Sequence, residues 1–268
     1  MAISATGISA GSLNQFNQIQ NRINDTDKQL TSGKRINDAA VDPAGLQVYL
    51  QLQGLQLGNS TAIKNSLDGT SALQIADASV SQVNDSLQQI RELSVQAQNG
   101  TLNENDRASL QTQADALLEG IKSTLNQSSF NGQSLLTNDG ELRLQTGPDS
   151  EDSLSVSTFN ITEQFENAGL FSLDISDSTS LDLLDSSQDF LNTVSGEIGA
   201  NQSRLDSTIN RLSENSVNAA ESASRIGDTD YASVISERAS ALIQQEVSIA
   251  MQAQANSNRA LVLNLLGN

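Results

Sequence analysis

Carboxylates are the side chains of this 268-residue chain with the greatest capacity for chemistry. Asp and Glu together number 32 against 14 Lys and Arg, and five aspartates lie close together at Asp174, Asp177, Asp182, Asp185 and Asp189. A calcium-binding loop needs oxygen ligands at fixed short intervals, a glycine at its sharp turn and a terminal glutamate. Because the spacing of these aspartates matches no such loop, we interpret the segment as a solvated acidic stretch rather than as a calcium site.

Other catalytic chemistry finds little support in the composition. The chain contains no Cys and no His, which removes thiol nucleophiles, disulfides, Cys or His zinc sites and histidine-based triads. Paired carboxylates can serve a hydrolase, and Ser with Lys can act as nucleophile and base. However, no motif places a Lys beside a Ser and a glycine-rich oxyanion loop. We therefore predict no catalytic residues, no cofactor and no metal site, and an enzyme is the weaker hypothesis.

Net charge and hydropathy restrict the partners. A net charge of −18 argues against binding to nucleic acid or to anionic membrane surfaces. No run of about 18 apolar residues occurs, and the opening MAISATGISAGSLNQF lacks the basic and apolar regions of a cleaved secretory signal. Aromatic residues make up only 3% of the chain, which favours a thin helical bundle over a broad globular core.

Both ends of the chain carry residues at the alternating three- and four-residue spacing of a coiled coil. The first stripe comprises Leu13, Phe16, Gln20, Ile23, Asp27 and Leu30, and the last comprises Ile235, Ala239, Leu242, Glu246, Ile249, Ala253, Asn256, Ala260 and Leu263. Such a stripe lies along one face of a helix and needs a partner to bury it. Polar residues dilute both stripes, so we expect the two terminal helices to pair and to become stable only when many copies pack together.

Helix start and stop signals predict a joint followed by a long inner helix. Gly33 suits the position after a helix C-terminus, and Asp42 followed by Pro43 suits the start of a new helix. An apolar stripe then predicts a helix over about 60–98, and Asn99 with Gly100 ends it.

A second inner helix and a hairpin follow. Asn103 or Asn105 can cap this helix, and Asn131 with Gly132 ends the region. Because the link between the two inner helices is short, they should fold back as an antiparallel pair. Alternating apolar residues at Leu142, Leu144, Leu154 and Val156 then predict a β-hairpin that must pack on the helices.

The remaining third of the chain returns to the helical period. Residues 160–190 are rich in Ser, Asp and Asn, and we expect them to be mostly irregular. The helical stripe resumes at Val194 and runs to Ile226, where Gly227 ends it and Asp228 can cap the final helix. The predicted fold class is mainly α: an elongated antiparallel helical bundle with a small β-hairpin excursion and paired terminal helices.

Four stretches in the first half of the chain resemble bacterial flagellin. LTSGKRINDAAVDPAGL at 30–46 is similar to the family's L-S-S-G-x-R-I-N-x-A-x-D-D-A-A-G-L signature. NSLDGTSALQIAD at 65–77 and QQIRELSVQAQNGT at 88–101 resemble N-A-N-D-G-I-S-x-x-Q-x-A-E and R-x-R-E-L-A-V-Q-x-x-N-G-T. FNGQSLL at 130–136 resembles F-N-G-x-x-L-L. Their order along the chain follows that of the family pattern.

Two further stretches extend the resemblance to the C-terminal end. SRIGDTDYA at 224–232 resembles S-R-I-x-D-x-D-Y/F-A, and ANSNRALVLNLL at 255–266 resembles A-N-Q-x-P-Q-x-V-L-x-L-L. Two residues depart from the pattern: Arg259 stands where proline is usual, and Gly227 stands where a charged residue is common. The resemblance covers nearly the whole chain, and the competing hypothesis within flagellar proteins is a hook–filament junction protein.

The resemblance implies a structural subunit of the flagellar filament, located outside the cell. Residues 1–42 with 228–268 would form the inner tube (the D0 domain) with its joint segments, and residues 43–227 would form the surrounding layer (the D1 domain). No outer domain is expected, since only a short segment separates the hairpin from the returning helix.

Packing of the terminal helices would drive polymerisation of this homopolymer. We assign the inner-tube contact to Leu13, Phe16, Ile23, Leu30, Leu242, Ile249, Leu261, Leu263 and Leu266. The strip from Leu87 to Gln113 should contribute subunit contacts in the outer layer.

The resemblance also implies partners outside the filament. It implies export through the type III apparatus, a cytosolic chaperone at the C-terminal helix, and contacts with the cap and the hook-junction proteins. An innate immune receptor of vertebrates recognises some flagellins through Arg, Leu and Glu. Leu93 matches the leucine, but Gln89 and Gln113 stand at the charged positions, so we predict weak recognition although Arg91 and Glu92 lie nearby.

Overall fold

The computed structural model describes the backbone of residues 4–266 and the side chains of residues 11, 13–258, 260 and 261. Within these residues the chain forms six α-helices, one short 3₁₀ turn and two small antiparallel strand pairs. The elements are α1 Ser4–Ser32, α2 Pro43–Ala97, α3 Glu104–Gln127, β1 Ser129–Phe130, β2 Gln133–Ser134, β3 Gly140–Gln145, β4 Ser153–Thr158, α4 Ile161–Ala168, the 3₁₀ turn Leu170–Ser172, α5 Ser180–Gly227 and α6 Tyr231–Leu266. The predicted mainly α fold class with a small β-hairpin is confirmed.

The chain divides into two compact units. The first unit contains Met1–Gly54 and Asn218–Asn268, and the second contains Leu55–Val217. Across residues 4–266, no helix combines the length and the apolar character that crossing a membrane requires.

Several helix boundaries agree with the sequence signals. Gly33 follows α1 with a φ of +70°, a conformation that glycine adopts without steric cost. The backbone N–H of Gly45 donates to Asp42 Oδ1 at 2.8 Å, so Asp42 caps α2 as predicted. Asn103 caps α3 in a capping box with Asp106, which selects it over Asn105.

Two other boundaries differ from the sequence signals. Helix α2 begins at Pro43, as Asp42 and Pro43 predict, and runs without a break to Ala97, whereas the apolar stripe predicted a helix only from about residue 60. The isolated glycines at 54 and 58 do not interrupt it, as a helix tolerates single glycines. Helix α3 ends at Gln127, and Asn131 with Gly132, predicted to end this region, forms the turn between β1 and β2, both with positive φ.

The start of the final helix also differs from the prediction. Asp230 Oδ1 accepts hydrogen bonds from the backbone N–H groups of Ala232 at 3.0 Å and Ser233 at 3.3 Å. Asp230, rather than Asp228, therefore caps α6. The backbone of Asp228 is engaged in an isolated antiparallel bridge with Lys34.

The core of the second unit lies among α2, α3, α5 and the hairpin. Arg91 pairs with Asp185 and Asn84 with Gln188, so α2 and α5 run antiparallel. Fully buried residues of this core include Leu87, Ile90, Ala114, Ile121, Leu125, Val194 and Leu205.

The predicted β-hairpin is confirmed and packs on this core. Leu142 lies opposite Val156 and Leu144 opposite Leu154, and the two residues of β4 are buried. A Cβ added at Gly69 of α2 would lie 2.3 Å from Leu144 Cδ1, so the hairpin packs closely against α2.

Residues 160–190, which we expected to be mostly irregular, are mostly ordered into helices. They form α4, the 3₁₀ turn and the first turns of α5. Phe165, Leu170, Ile175 and Leu184 have at most 1% of their surface exposed. The prediction was wrong because the Ser, Asp and Asn residues act as caps and turn formers around a few deeply buried apolar residues.

Candidate functional site

The terminal helices α1 and α6 pack against each other through a very small apolar core. Ile19 is 4% exposed, Ile23 is 6% exposed and Ala241 is fully buried, and Leu242 packs against them while half-buried. The predicted pairing of the terminal helices is confirmed. Hydrophobic stabilisation is proportional to the apolar surface that is buried, at about 25 cal/mol per Å². Because this core is so small, it stabilises the pairing of α1 and α6 only weakly.

Polar contacts hold much of the remaining interface between α1 and α6. Arg238 Nε donates to Asp27 Oδ1 at 2.5 Å, and Gln245 Nε2 donates to Gln20 Oε1 at 2.7 Å. Arg22 lies 3.7 Å from Glu237. These pairs show that the helices are antiparallel, and they require one particular register.

The face of α6 turned toward α1 differs from the predicted stripe by one position. On this face of α6, Val234 and Ala241 are buried. Arg238 and Gln245 lie on the same face and are half-buried. Ile235, at the start of the predicted stripe, is 55% exposed. The stripe on α1 was nearer the observed face, although the buried Ile19 was missed.

Among the described side chains of α6, six large aliphatic or methionine side chains are exposed, in addition to Tyr231 at the start of the helix. We call the six the exposed α6 residues: Ile235, Ile243, Val247, Ile249, Met251 and Leu261, each between 52% and 69% exposed. Single exposed apolar residues are ordinary on a protein surface, whereas a concentration along one helix marks an interaction surface.

An open apolar groove between α1 and α6 adjoins these residues. Leu13 and Phe16 of α1 line it together with Ile249 and Ala253 of α6, and Ser248, Gln252 and Asn256 complete the lining. The structure therefore brings together three of the predicted inner-tube residues. Of the others, Ile23 lies in the α1–α6 core, Leu30 and Leu242 are half-buried, and Leu261 is exposed. The side chains of Leu263, Leu266 and Arg259 lie outside the described residues.

A second groove lies within the other unit, between α2 and α3. Its lining comprises Gln89, Glu92, Leu93, Gln96, Gln113, Ala116 and Leu117. Arg91 lies apart from it, because its guanidinium Nε and Nη2 donate to the Asp185 carboxylate at 2.9 and 3.3 Å. Four of the five residues predicted for outer-layer contact thus share this groove, and Arg91 instead joins α2 to α5.

The acidic segment has a local structural role. Asp174 and Asp177 accept hydrogen bonds from the backbone N–H groups of Ser176 and Thr179. The Thr179 amide lowers the pKa of the Asp177 carboxyl, as expected when a backbone N–H stabilises the charged form. Among the described residues, no group of three Asp or Glu side chains is arranged to hold a metal ion.

The ion pair between Asp27 and Arg238 leads to a first prediction. Asp27→Arg or Arg238→Asp alone should raise the critical concentration for self-assembly by up to about tenfold, because each places like charges across the α1–α6 interface and half-exposed pairs contribute about 1 kcal/mol or less. The double reversal should restore most of the loss. Sedimentation of assembled protein at a series of concentrations measures this, and a double variant no better than the worse single variant would contradict it.

The observed arrangement defines a class: a helical structural chain with a well-packed helical unit and terminal helices that pack through a small apolar core and expose apolar side chains. Family models agree with this class. The model described as bacterial flagellin N-terminal helical region matches residues 3–140, and that for the C-terminal helical region matches residues 181–266. The chain belongs to the bacterial flagellin family, and it is a structural subunit of the extracellular flagellar filament that serves motility.

Individual relatives extend over most of the chain. A flagellin of Halalkalibacterium halodurans is 34% identical over 89% of this chain and 90% of its own length. A flagellin of Bacillus subtilis is 31% identical over 95% of this chain and 97% of its own length. These matches favour flagellin, and nothing in them favours the hook-junction alternative.

Solved structures also share the fold. A putative flagellar hook-associated protein from Vibrio parahaemolyticus superposes with a TM-score of 0.59 at 15% identity, over 70% of this chain and all of that chain. At this identity the likeness concerns the fold alone.

Proposed function

We propose that this flagellin polymerises by burying the exposed α6 residues and the groove between α1 and α6 against other surfaces of the terminal helices of neighbouring copies, since an open filament needs contacts between different surfaces. The observation that carries this proposal is the exposure of six large apolar side chains on one helix. Among the described residues, the apolar cluster between α1 and α6 consists of Ile19, Ile23 and Ala241 with Leu242 packed against it, and polar pairs supply much of the rest of the contact.

An energetic argument supports coupling between folding and assembly. Ordering each residue costs about 1–2 kcal/mol of backbone entropy, and helices without tertiary packing are marginal in water. Burial of one large aliphatic side chain contributes about 1.5–3 kcal/mol. The exposed α6 residues can supply this contribution only when other subunits cover them, so α1 and α6 gain most of their stability in the filament.

The remaining contacts are assigned by unit. Residues 1–42 and 228–268 form the inner tube, with Leu261, Leu263 and Leu266 extending its contact surface. Residues 43–227 form the outer layer, in which Gln89, Glu92, Leu93 and Gln113 contact neighbouring subunits. The groove between α2 and α3 is also the region that an innate immune receptor would contact. The receptor recognises this chain weakly, because Gln89 and Gln113 stand where charged side chains are usual.

Partners outside the filament are proposed from the chain's membership of the flagellin family. A cytosolic chaperone covers the exposed α6 residues before export. The type III export apparatus then carries the chain to the growing end of the filament. The cap and the hook-junction proteins contact the same terminal helices at the two ends of the filament. The chain performs no catalysis.

Truncation of a single exposed side chain tests the assembly surface. Met251 is 69% exposed, and Met251→Ala should raise the critical concentration for filament formation about five- to thirtyfold, since the lost burial corresponds to about 1–2 kcal/mol. Negative-stain electron microscopy of seeded samples, combined with sedimentation, measures the effect.

A side chain of similar length provides the control. Gln254 is exposed on α6 and hydrogen-bonds within that helix to Asn258, so Gln254→Ala removes a polar side chain and should change the critical concentration much less. If the two variants polymerise equally well, the exposed apolar residues are not the contact surface.

A further inference from the structure

Two turns of the first unit are tied together by backbone hydrogen bonds. One turn joins α1 to α2 and the other joins α5 to α6. The backbone N–H of Arg35 donates to the Gly227 carbonyl at 2.8 Å, and the N–H of Thr229 donates to the Gly33 carbonyl at 3.0 Å. Arg35 Nη2 also donates to the Ile226 carbonyl at 2.6 Å. The guanidinium therefore satisfies a carbonyl at the end of α5 that has no partner within that helix.

Gly227 is buried at the centre of this arrangement, directly against the ring of Tyr49. A Cβ added at Gly227 would lie 2.5 Å from Tyr49 Cε2 and 2.6 Å from Cδ2, much closer than carbon atoms approach one another in proteins. Gly227 is helical, and its φ is not among the positive values of the chain. Space for the ring, rather than backbone conformation, therefore requires glycine here.

The Tyr49 ring is itself held in position from two other directions. Lys34 Nζ lies 5.0 Å from the ring centroid, within the range of a cation–π contact. Gln53 Nε2 donates to the phenol oxygen at 3.3 Å from the next turn of α2. Lys34 also forms the isolated bridge with Asp228, so the ring lies between two segments that the bridge connects.

We propose that the Tyr49 ring seated on the bare backbone of Gly227 is a steric lock that keeps the two turns together. The departure of Gly227 from the family pattern and the aromatic residue at position 49 then form one coupled pair. A side chain at position 227 displaces the ring, and the hydrogen bonds of Arg35 and Thr229 open more often as a result. Removal of the ring makes a side chain at 227 tolerable.

Hydrogen exchange in assembled filaments tests this lock, with mass spectrometry of peptides that contain Arg35 and Thr229. Gly227→Ala should speed exchange there about tenfold, because a buried overpacked contact forces its surroundings to shift. Gly199→Ala is the matched control, since it lies in the same helix with no atom within 4 Å of the added Cβ. It should leave exchange at both peptides unchanged.

The double variant Gly227→Ala with Tyr49→Ala decides whether the two positions are coupled. Hydrogen exchange at the Arg35 and Thr229 peptides should be slower in the double variant than in Gly227→Ala alone. The factor by which the double variant speeds exchange should be smaller than the product of the factors of the two single variants. If Gly227→Ala yields too few filaments, the critical concentrations of the same variants are compared, with the same order expected.

Two results would overturn the lock: Gly227→Ala behaving like Gly199→Ala, or a double variant no better than Gly227→Ala. The test rests on the proposed function only in using filaments as the specimen. Failure of the unaltered chain to polymerise would count against the assembly proposal, whereas normal wild-type filaments with uncoupled variants would count against the lock alone.

Discussion

Ile249→Asp is expected to abolish filament formation at concentrations where the unaltered protein polymerises. Ile249 is 54% exposed and lines the apolar groove with Leu13 and Phe16. A carboxylate at this position stays hydrated in a single copy and therefore costs little there. In a filament that covers the groove, the same carboxylate is buried without a partner, and removing a charge from water costs several kcal/mol.

Two substitutions at the same position separate charge from shape. Ile249→Leu keeps the apolar volume and should polymerise nearly normally. Ile249→Asn matches the aspartate in size without the charge, and it should polymerise weakly but better than Ile249→Asp. Sedimentation and negative-stain microscopy of the purified variants provide the comparison. Filaments of Ile249→Asp at the normal critical concentration would remove the groove from the assembly contact.

The sequence predicted which helices pair but not the rotation of α6. An apolar stripe identifies a surface that prefers burial, and it carries no information on which neighbour provides the burial. In this chain, Arg238 and Gln245 bind Asp27 and Gln20 on α1 and so turn α6 by about one residue from the predicted face. Of the predicted apolar stripe, Leu242 still packs against α1, whereas Ile235 and Ile249 are more than half exposed.

Long-range packing explains the other features that the sequence did not reveal. Local signals located the starts of α2 and α3, because Asp42 and Asn103 cap residues close to them in the chain. By contrast, the need for glycine at 227 depends on Tyr49, which is far away along the sequence. Only the departure of Gly227 from the family pattern indicated that this position was unusual.

Composition was misleading in the segment that contains α4. Asn160 Oδ1 accepts a hydrogen bond from the Glu163 backbone N–H at 3.1 Å and caps α4, so a residue counted as loop-forming starts a helix. Gly169 ends α4 with a φ of +82°. The polar residues of this region specify boundaries, while the few apolar residues between them complete the core of the second unit.

Phe165→Ala should therefore destabilise the second unit by about 3–5 kcal/mol, the range found for removal of a buried aromatic side chain. Phe165 is 1% exposed, and its ring centroid lies 6.2 Å from that of Phe171 and 6.4 Å from that of Phe190, both in edge-to-face geometry. The substitution leaves a cavity and removes both aromatic contacts, which contribute beyond their buried area. Urea unfolding followed by circular dichroism measures the loss.

Phe159→Ala is the matched control, because it removes the same atoms from a residue that is half-buried at the edge of the same core. Its effect should be clearly smaller, since its cavity opens to solvent and the lost burial is less. Equal midpoints and slopes of urea unfolding for Phe165→Ala and the unaltered chain would mean that α4 contributes little to the stability of the second unit. A loss several times that of Phe159→Ala would make α4 an integral part of the core, in a segment whose composition resembles that of a loop.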